Sequence, residues 1–435
     1  MHADLSLQQS PPFSVPARFL ISAPLFGLLA ALVMLWHGPE MLSSRWTSEL
    51  LAVTHFLTLG FLAMSMLGAM MQLMPVLMGM MIPRPVFFSG IIHASLFLGS
   101  TSLGLAWLLQ INALFMIAMA SLLFSFSVFI VMAAERLLRT PSRHATRTLM
   151  LLALLSLSIT AGLGLYLAMS YSDAAFPLAR KLTDLHLSWG LLGWVGLLIM
   201  AVAYQVIPMF QITNPYPLIL QRSLGWLIFF ALITLSLIQI WPLAILKMFS
   251  HLLLAICLLT FAFTTFWLLH TRRRQLPDLT LNFWRLAMIS LALTALIGLS
   301  FSFSAMKPPA LLLGVLVIHG FAMTTVNGMM YKIMPFLIWL HLSSHNKTLR
   351  DSNQRTSQVK VPHMRKIIPE AAGLWQFRAH LASLILLFLT ALWPQWFFYP
   401  ATVLFVIAQA LLLFNLSSAV HLYRAKLAEF ASGQF

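Results

Sequence analysis

Long apolar runs, separated by short polar punctuation, fill this chain almost from end to end. Twelve of them approach the roughly 20 residues needed to cross about 30 Å of hydrocarbon. They fall at about 18–37, 50–75, 86–108, 111–135, 147–170, 185–210, 224–245, 248–270, 281–304, 309–338, 378–395 and 398–423. The pattern predicts an all-α polytopic membrane protein with twelve transmembrane helices and no soluble domain of useful size between them. The longest polar stretch, His341 to Phe377, predicts a basic loop lying near anionic lipid.

Three of the runs share one grammar. Aligned on Pro75, Pro208 and Pro335, the second, sixth and tenth runs carry Gly60, Gly193 and Gly320 fifteen positions upstream, each followed by an aromatic residue, Phe61, Trp194 or Phe321. Seven upstream stand Gly68, Ala201 and Gly328, and the position three before each proline is Gln72, Gln205 or Lys332. The prolines are 133 and 127 residues apart. Repetition at such a period marks a repeated structural unit, here four helices used three times: about 18–135, 147–270 and 281–423 within one membrane domain covering 1–435. The glycines let helices approach closely in a bilayer or make room for a flat macrocycle, and the prolines are expected to end their spans.

Composition agrees with the pattern: of 435 residues 60% are apolar and 8% charged, and the mean hydropathy is +0.90. The net charge of +16 could point to nucleic acid, but the lysines and arginines are nearly all loop or span-end residues. Eighteen fall on the side of the termini and five (Arg45, Arg180, Lys181, Lys247 and Lys307) on the other. This bias predicts cytoplasmic termini in an inner membrane, with the lipid bilayer rather than nucleic acid as partner. The polar, proline-containing start reads as no cleaved signal peptide. With Cys257 as the only cysteine, any metal or haem has to use histidine or methionine.

All ten acidic residues map to termini, loops or span ends, so a carrier coupled through a midplane carboxylate has no obvious residue to use. Lys332 lies near a span end, within reach of the interface by snorkelling, and the methionines from Met64 to Met81 read as adaptable packing. Histidines remain. His93, His251 and His380 read as helix-packing groups, whereas His55, His186 and His319 occupy the three equivalent spans and are the candidate ligands for haem iron or copper. They stand 20, 22 and 16 residues before their prolines. At about 100° per residue His55 and His319 face within roughly 40° of each other while His186 points elsewhere, which favours His55 and His319 as a metal-binding pair.

With these features the chain resembles the catalytic subunit I of haem-copper oxidases, twelve helices in three arcs of four. The segment DLHLSWGLLGW from Asp184 to Trp194 is similar to short, divergent oxidase-like proteins of bacteria, and Pro16-Ala17-Arg18-Phe19-Leu20 is similar to the start of the NnrS family of haem and copper membrane proteins. The resemblance implies haem ligands on the second and tenth helices, at His55 and His319, a looser match of His186 to the sixth-helix copper position, and an electron-transfer partner or quinone. Departures are plain. The seventh span has no histidine pair, Gly190 stands where a tyrosine belongs, and His319-Gly320-Phe321 replaces two histidines separated by one residue. A full copper ligand set is therefore missing. The expected function is a haem-binding inner-membrane protein of respiratory or nitric oxide metabolism, a redox or sensing component rather than a complete oxygen-reducing oxidase. The alternative is a cofactor-free transporter or assembly factor on the same scaffold.

Overall fold

The computed structural model describes residues 10–140, 145–172, 177, 179–303, 309–351 and 359–432. Among them twelve helices are long and apolar enough to cross a membrane. They are α1 Ser14–His37, α2 Ser48–Val76, α3 Pro85–Leu109, α4 Asn112–Arg139, α5 Ala145–Ser172, α6 Lys181–Gln211, α7 Leu218–Leu237, α8 Ala244–His270, α9 Leu279–Ser302, α10 Ala310–Lys347, α11 Glu370–Thr390 and α12 Pro394–Phe430. Of the basic residues used above to orient the chain, Arg143, Lys307 and Arg355 lie outside the described residues, as do residues 1–9 of the polar start.

Consecutive helices pair as hairpins, and further contacts of α4 with α5, α8 with α9 and α12 with α1 close them into a ring. Inside the ring stand α2, α6 and α10, the three motif helices. They are the most buried of the twelve, at 67%, 78% and 67% of their most apolar stretch. Lipid gives no hydrophobic drive for this centre to form, so close packing over small residues has to supply it. The glycines do so in matching ways. A Cβ on Gly68 would lie 2.5 Å from Cβ of Phe19 on α1, and one on Gly328 would lie 2.6 Å from Cβ of Phe283 on α9. Likewise a Cβ on Gly193 would meet Ser156 of α5 at 2.8 Å, and one on Gly320 would meet Ser290 of α9 at 2.7 Å.

Each motif helix is interrupted by a π-helical stretch, Phe56–Ala63, Trp189–Gly196 and Val315–Met323. All three end twelve residues before the motif proline, so the interruption belongs to the repeated pattern. Wider π turns are tolerated where packing repays them, and they concentrate at functional sites.

Pro75 and Pro208 stand in the last turn of their helices, three residues before the ends at Met78 and Gln211, close to the span ends as expected, whereas Pro335 lies well inside a helix that runs on to Asp351. A proline removes only its own N–H bond and crowds one carbonyl a turn earlier, so the third copy continues through it. A second expectation is corrected as well. The predicted loop from His341 to Phe377 is largely helical. The tenth helix runs on to Asp351 and the eleventh begins at Glu370, because the apolar Val359, Ile367 and Ile368 are buried and draw the connection onto the bundle. Asn346 Nδ2 also donates to Val359 O at 2.8 Å. Residues 352–358 of that stretch lie outside the described residues. Met64, Met66, Met70, Met71 and Met74 are core residues, in keeping with packing.

Candidate functional site

Where the π stretches meet, at the end of the bundle away from the termini, the central helices part around an apolar cavity of about 350 Å³. Its size falls in the usual range for small-molecule and cofactor pockets. His55, His186 and His319 all line it.

His55 and His186 face one another, with ring centres 6.2 Å apart and planes inclined by 23°. Each is held by its Nδ1. In His55 this nitrogen lies 2.8 Å from Leu51 O, one turn back on its own helix; in His186 it lies 3.1 Å from Thr160 O, across on α5. A carbonyl only accepts, so both Nδ1 atoms carry the proton and both Nε2 atoms keep a lone pair. Trp107 covers His55 with ring centres 4.6 Å apart, and Gly164 gives His186 room, since a Cβ there would lie 2.9 Å from its Cε1.

His319 is placed differently. It is 3% exposed and stacks on His380 of α11 with ring centres 4.3 Å apart. The two histidines are locked reciprocally. Ser383 Oγ donates to His380 O at 2.8 Å and accepts from His319 Nε2 at 2.9 Å, while Thr324 Oγ1 donates to His319 O at 2.9 Å and accepts from His380 Nε2 at 2.7 Å. The structure thus brings His55 together with His186, and gives His319 a different neighbour on the same cavity. His319 lies within its π stretch, where each turn consumes more residues, whereas His55 and His186 sit on ordinary turns just ahead of theirs, so a wheel of constant pitch misplaces His319 relative to the other two. His380 and His93 make packing bonds as expected, His93 through Ser22 Oγ at 2.8 Å. Among the described residues no group of three or more His, Cys, Asp or Glu side chains could hold a metal ion.

No family model and no curated protein sequence matches this chain.

The mouth of the cavity carries residues that no motif flags. Arg45 Nη1 donates to Asp184 Oδ1 at 2.6 Å, joining the α1–α2 connection to the start of α6. The Trp46 ring lies between two guanidiniums, 4.3 Å from Arg45 and 5.3 Å from Arg180. The only sequence signal for this mouth was that Arg45 and Arg180 belong to the small basic set opposite the termini.

At the other end of the bundle Lys332 does not snorkel. Its Nζ lies 2.8 Å from Oδ2 of Asp278, whose side chain is 7% exposed. The carboxylate also accepts from the Thr280 backbone N–H, the Thr280 hydroxyl and Gln211 Nε2. Burial works to raise the Asp278 pKa, but the Lys332 charge and the hydrogen bonds from Lys332 and Thr280 together outweigh it and hold the carboxyl below its ordinary value. Snorkelling loses to pairing because Asp278, just ahead of α9, brings a carboxylate within reach.

Proposed function

We propose that this chain is a haem-binding protein of a bacterial inner membrane, in which His55 and His186 would hold the iron of one haem. The observation that carries the reading is that His55 and His186, each held through Nδ1 to a carbonyl, come together on the wall of one apolar cavity. With imidazole–metal distances of about 2.0 Å, the 6.2 Å between the ring centres would allow both histidines to hold one metal centre. Nδ1–H donation to a carbonyl is the usual support for a metal-ligating histidine, fixing its tautomer and raising its basicity. Among the described residues no third His, Cys, Asp or Glu joins the pair, which suits a macrocycle that brings four nitrogens of its own better than a bare tetrahedral ion. Arg45 at the mouth would meet a carboxylate-bearing ligand with a charge-assisted hydrogen bond. When bound, haem would supply one-electron chemistry or gas binding. The chain's residues would hold its iron, exclude water and separate it from the second histidine pair.

The same reading takes the scaffold as three four-helix repeats of the oxidase subunit I kind, supported by the matched π stretches and glycine contacts, with both termini cytoplasmic as the basic residues suggest. A role in respiratory or nitric oxide metabolism, with an electron-transfer partner or quinone, rests on the resemblance. A complete oxygen-reducing centre does not fit, since α7 carries no histidine. The test is a pyridine haemochrome assay on protein purified from a haem-replete host. One haem per chain is expected, and absence of haem would leave the cofactor-free transporter or assembly factor.

A further inference from the structure

The connection between α8 and α9 carries three consecutive arginines, Arg272, Arg273 and Arg274, and folds back onto the end of α6. Arg272 Nη1 donates to Gln211 Oε1 at 2.9 Å, Arg273 N to Ile212 O at 3.0 Å and Arg274 Nη1 to Phe210 O at 3.2 Å. Acidic charge is scarce around them. Asp278 Oδ2 lies 3.9 Å from Arg274 Nε, but Lys332 already holds that carboxylate at 2.8 Å. Arg274 Nε is buried and has no hydrogen-bond partner among the described residues. Partial burial and the charges of Arg285 and Arg274 hold the Arg272 guanidinium below its ordinary pKa, although Asp278 works to raise it.

Arg285 adds a guanidinium from within the span. It stands six residues past Leu279, the first residue of α9, about 9 Å along the axis, and is half-buried. It makes no hydrogen bond or ion pair with the described residues. Its side of the helix is the lipid side, since Ile289, Leu293 and Leu296, four, eight and eleven residues further on, are all exposed and share its face. A charged side chain at this depth is costly unless something meets it. Snorkelling would lift the charge to the interface, but there it joins the like charges of Arg272 and Arg274. What the three guanidiniums lack is an anion, and their open side is the bilayer.

We propose that Arg272, Arg274 and Arg285 hold the phosphate of one anionic phospholipid, whose acyl chains lie along the exposed Ile289, Leu293 and Leu296 of α9. Arginine suits this task because its planar fork offers a phosphate two parallel N–H donors. Lys332 and Asp278 neutralise each other, so the three guanidiniums carry a net positive charge into the headgroup layer. A choline headgroup brings a cation of its own into that field, whereas a glycerol headgroup leaves the phosphate charge uncompensated and draws it in. The bound lipid ties the end of α6, through Gln211 and Phe210, to α9, beside the Lys332 pair that joins α10. The site rests on the membrane-spanning reading of the helices and not on any cofactor.

Native mass spectrometry of the delipidated full-length protein tests this with dioleoylphosphatidylglycerol, dioleoylphosphatidylcholine and inorganic phosphate as probes. One phosphatidylglycerol per chain is expected to stay bound where phosphatidylcholine does not. Arg272→Gln and Arg285→Gln are each expected to weaken that binding about fivefold. Arg139→Gln, which removes the same charge from an exposed position at the end of α4, is expected to leave it unchanged. Equal retention of the two lipids would overturn the proposal, and so would displacement of phosphatidylglycerol by inorganic phosphate, which would make the site one for a free anion. Equal weakening by Arg139→Gln would overturn it too, by reducing the effect to diffuse surface charge. The comparison of the two lipids on the unaltered protein decides even where a variant fails to fold.

Discussion

Lys332 stands where the other copies of the motif carry Gln72 and Gln205, and all three side chains reach back to the segment that opens the preceding helix. Gln72 Nε2 donates to Ser10 Oγ and Gln205 Nε2 to Thr146 Oγ1, each at 2.9 Å, while Lys332 meets Asp278. The third copy has thus exchanged a neutral hydrogen bond for an ion pair. Removing one partner of a fully buried pair costs about 3–5 kcal/mol. With the Lys332 side chain 21% exposed, Lys332→Gln alone is expected to cost roughly 2–3 kcal/mol by the same reasoning, read as a lower unfolding temperature in detergent. Adding Asp278→Asn, which restores a neutral pair, should recover most of it; no recovery would mean that the two side chains do not act together. Because the Asp278 carboxyl is held below its usual value, near 4, its contribution is complete above that pH and fades as pH falls through the lower folded value. The gap between the unaltered protein and Lys332→Gln should therefore close only under strongly acidic conditions.

The three motif helices show how far local pattern reaches. Twelve helices were legible because a span needs only length and apolarity, and the glycines were legible because closeness in lipid needs small residues. Gly328 is the clearest instance. A Cβ there would strike Phe283 Cβ at 2.6 Å, backbone-anchored on both sides, and overpacking of this kind costs about 1–3 kcal/mol. Gly328→Ala is expected to lower the unfolding temperature by that equivalent, and Gly298→Ala, where a Cβ meets nothing within 4 Å, to have little effect. Equal losses at both sites would mean that helix flexibility, not the Phe283 contact, sets the cost. Each π stretch encloses the motif's glycine–aromatic pair, Gly60-Phe61, Gly193-Trp194 or Gly320-Phe321, but that pair reads equally as close packing, and a π turn forms where tertiary packing repays its poorer bonding. Angles counted through such a stretch consequently misjudge which histidines meet. All three histidines of the motif helices line the cavity, and the contact between His55 and His186 could not be read from their spacing.

Across the whole molecule, a ring of outer helices holds three central ones, and those part around the cavity at the end away from the termini. Two histidine pairs flank that space with different chemistry. His55 and His186 are each held through Nδ1 to a backbone carbonyl, whereas His319 and His380 are tied through Nε2 to Ser383 and Thr324 in a lock between α10 and α11. Magnetic circular dichroism in the near infrared separates these roles, because its charge-transfer band reports the axial ligands of a ferric haem. A bis-histidine band is expected in the purified protein, lost in His55→Ala and in His186→Ala and kept in His319→Ala. A band that survives both His55→Ala and His186→Ala, or one that disappears with His319→Ala alone, would contradict the assignment.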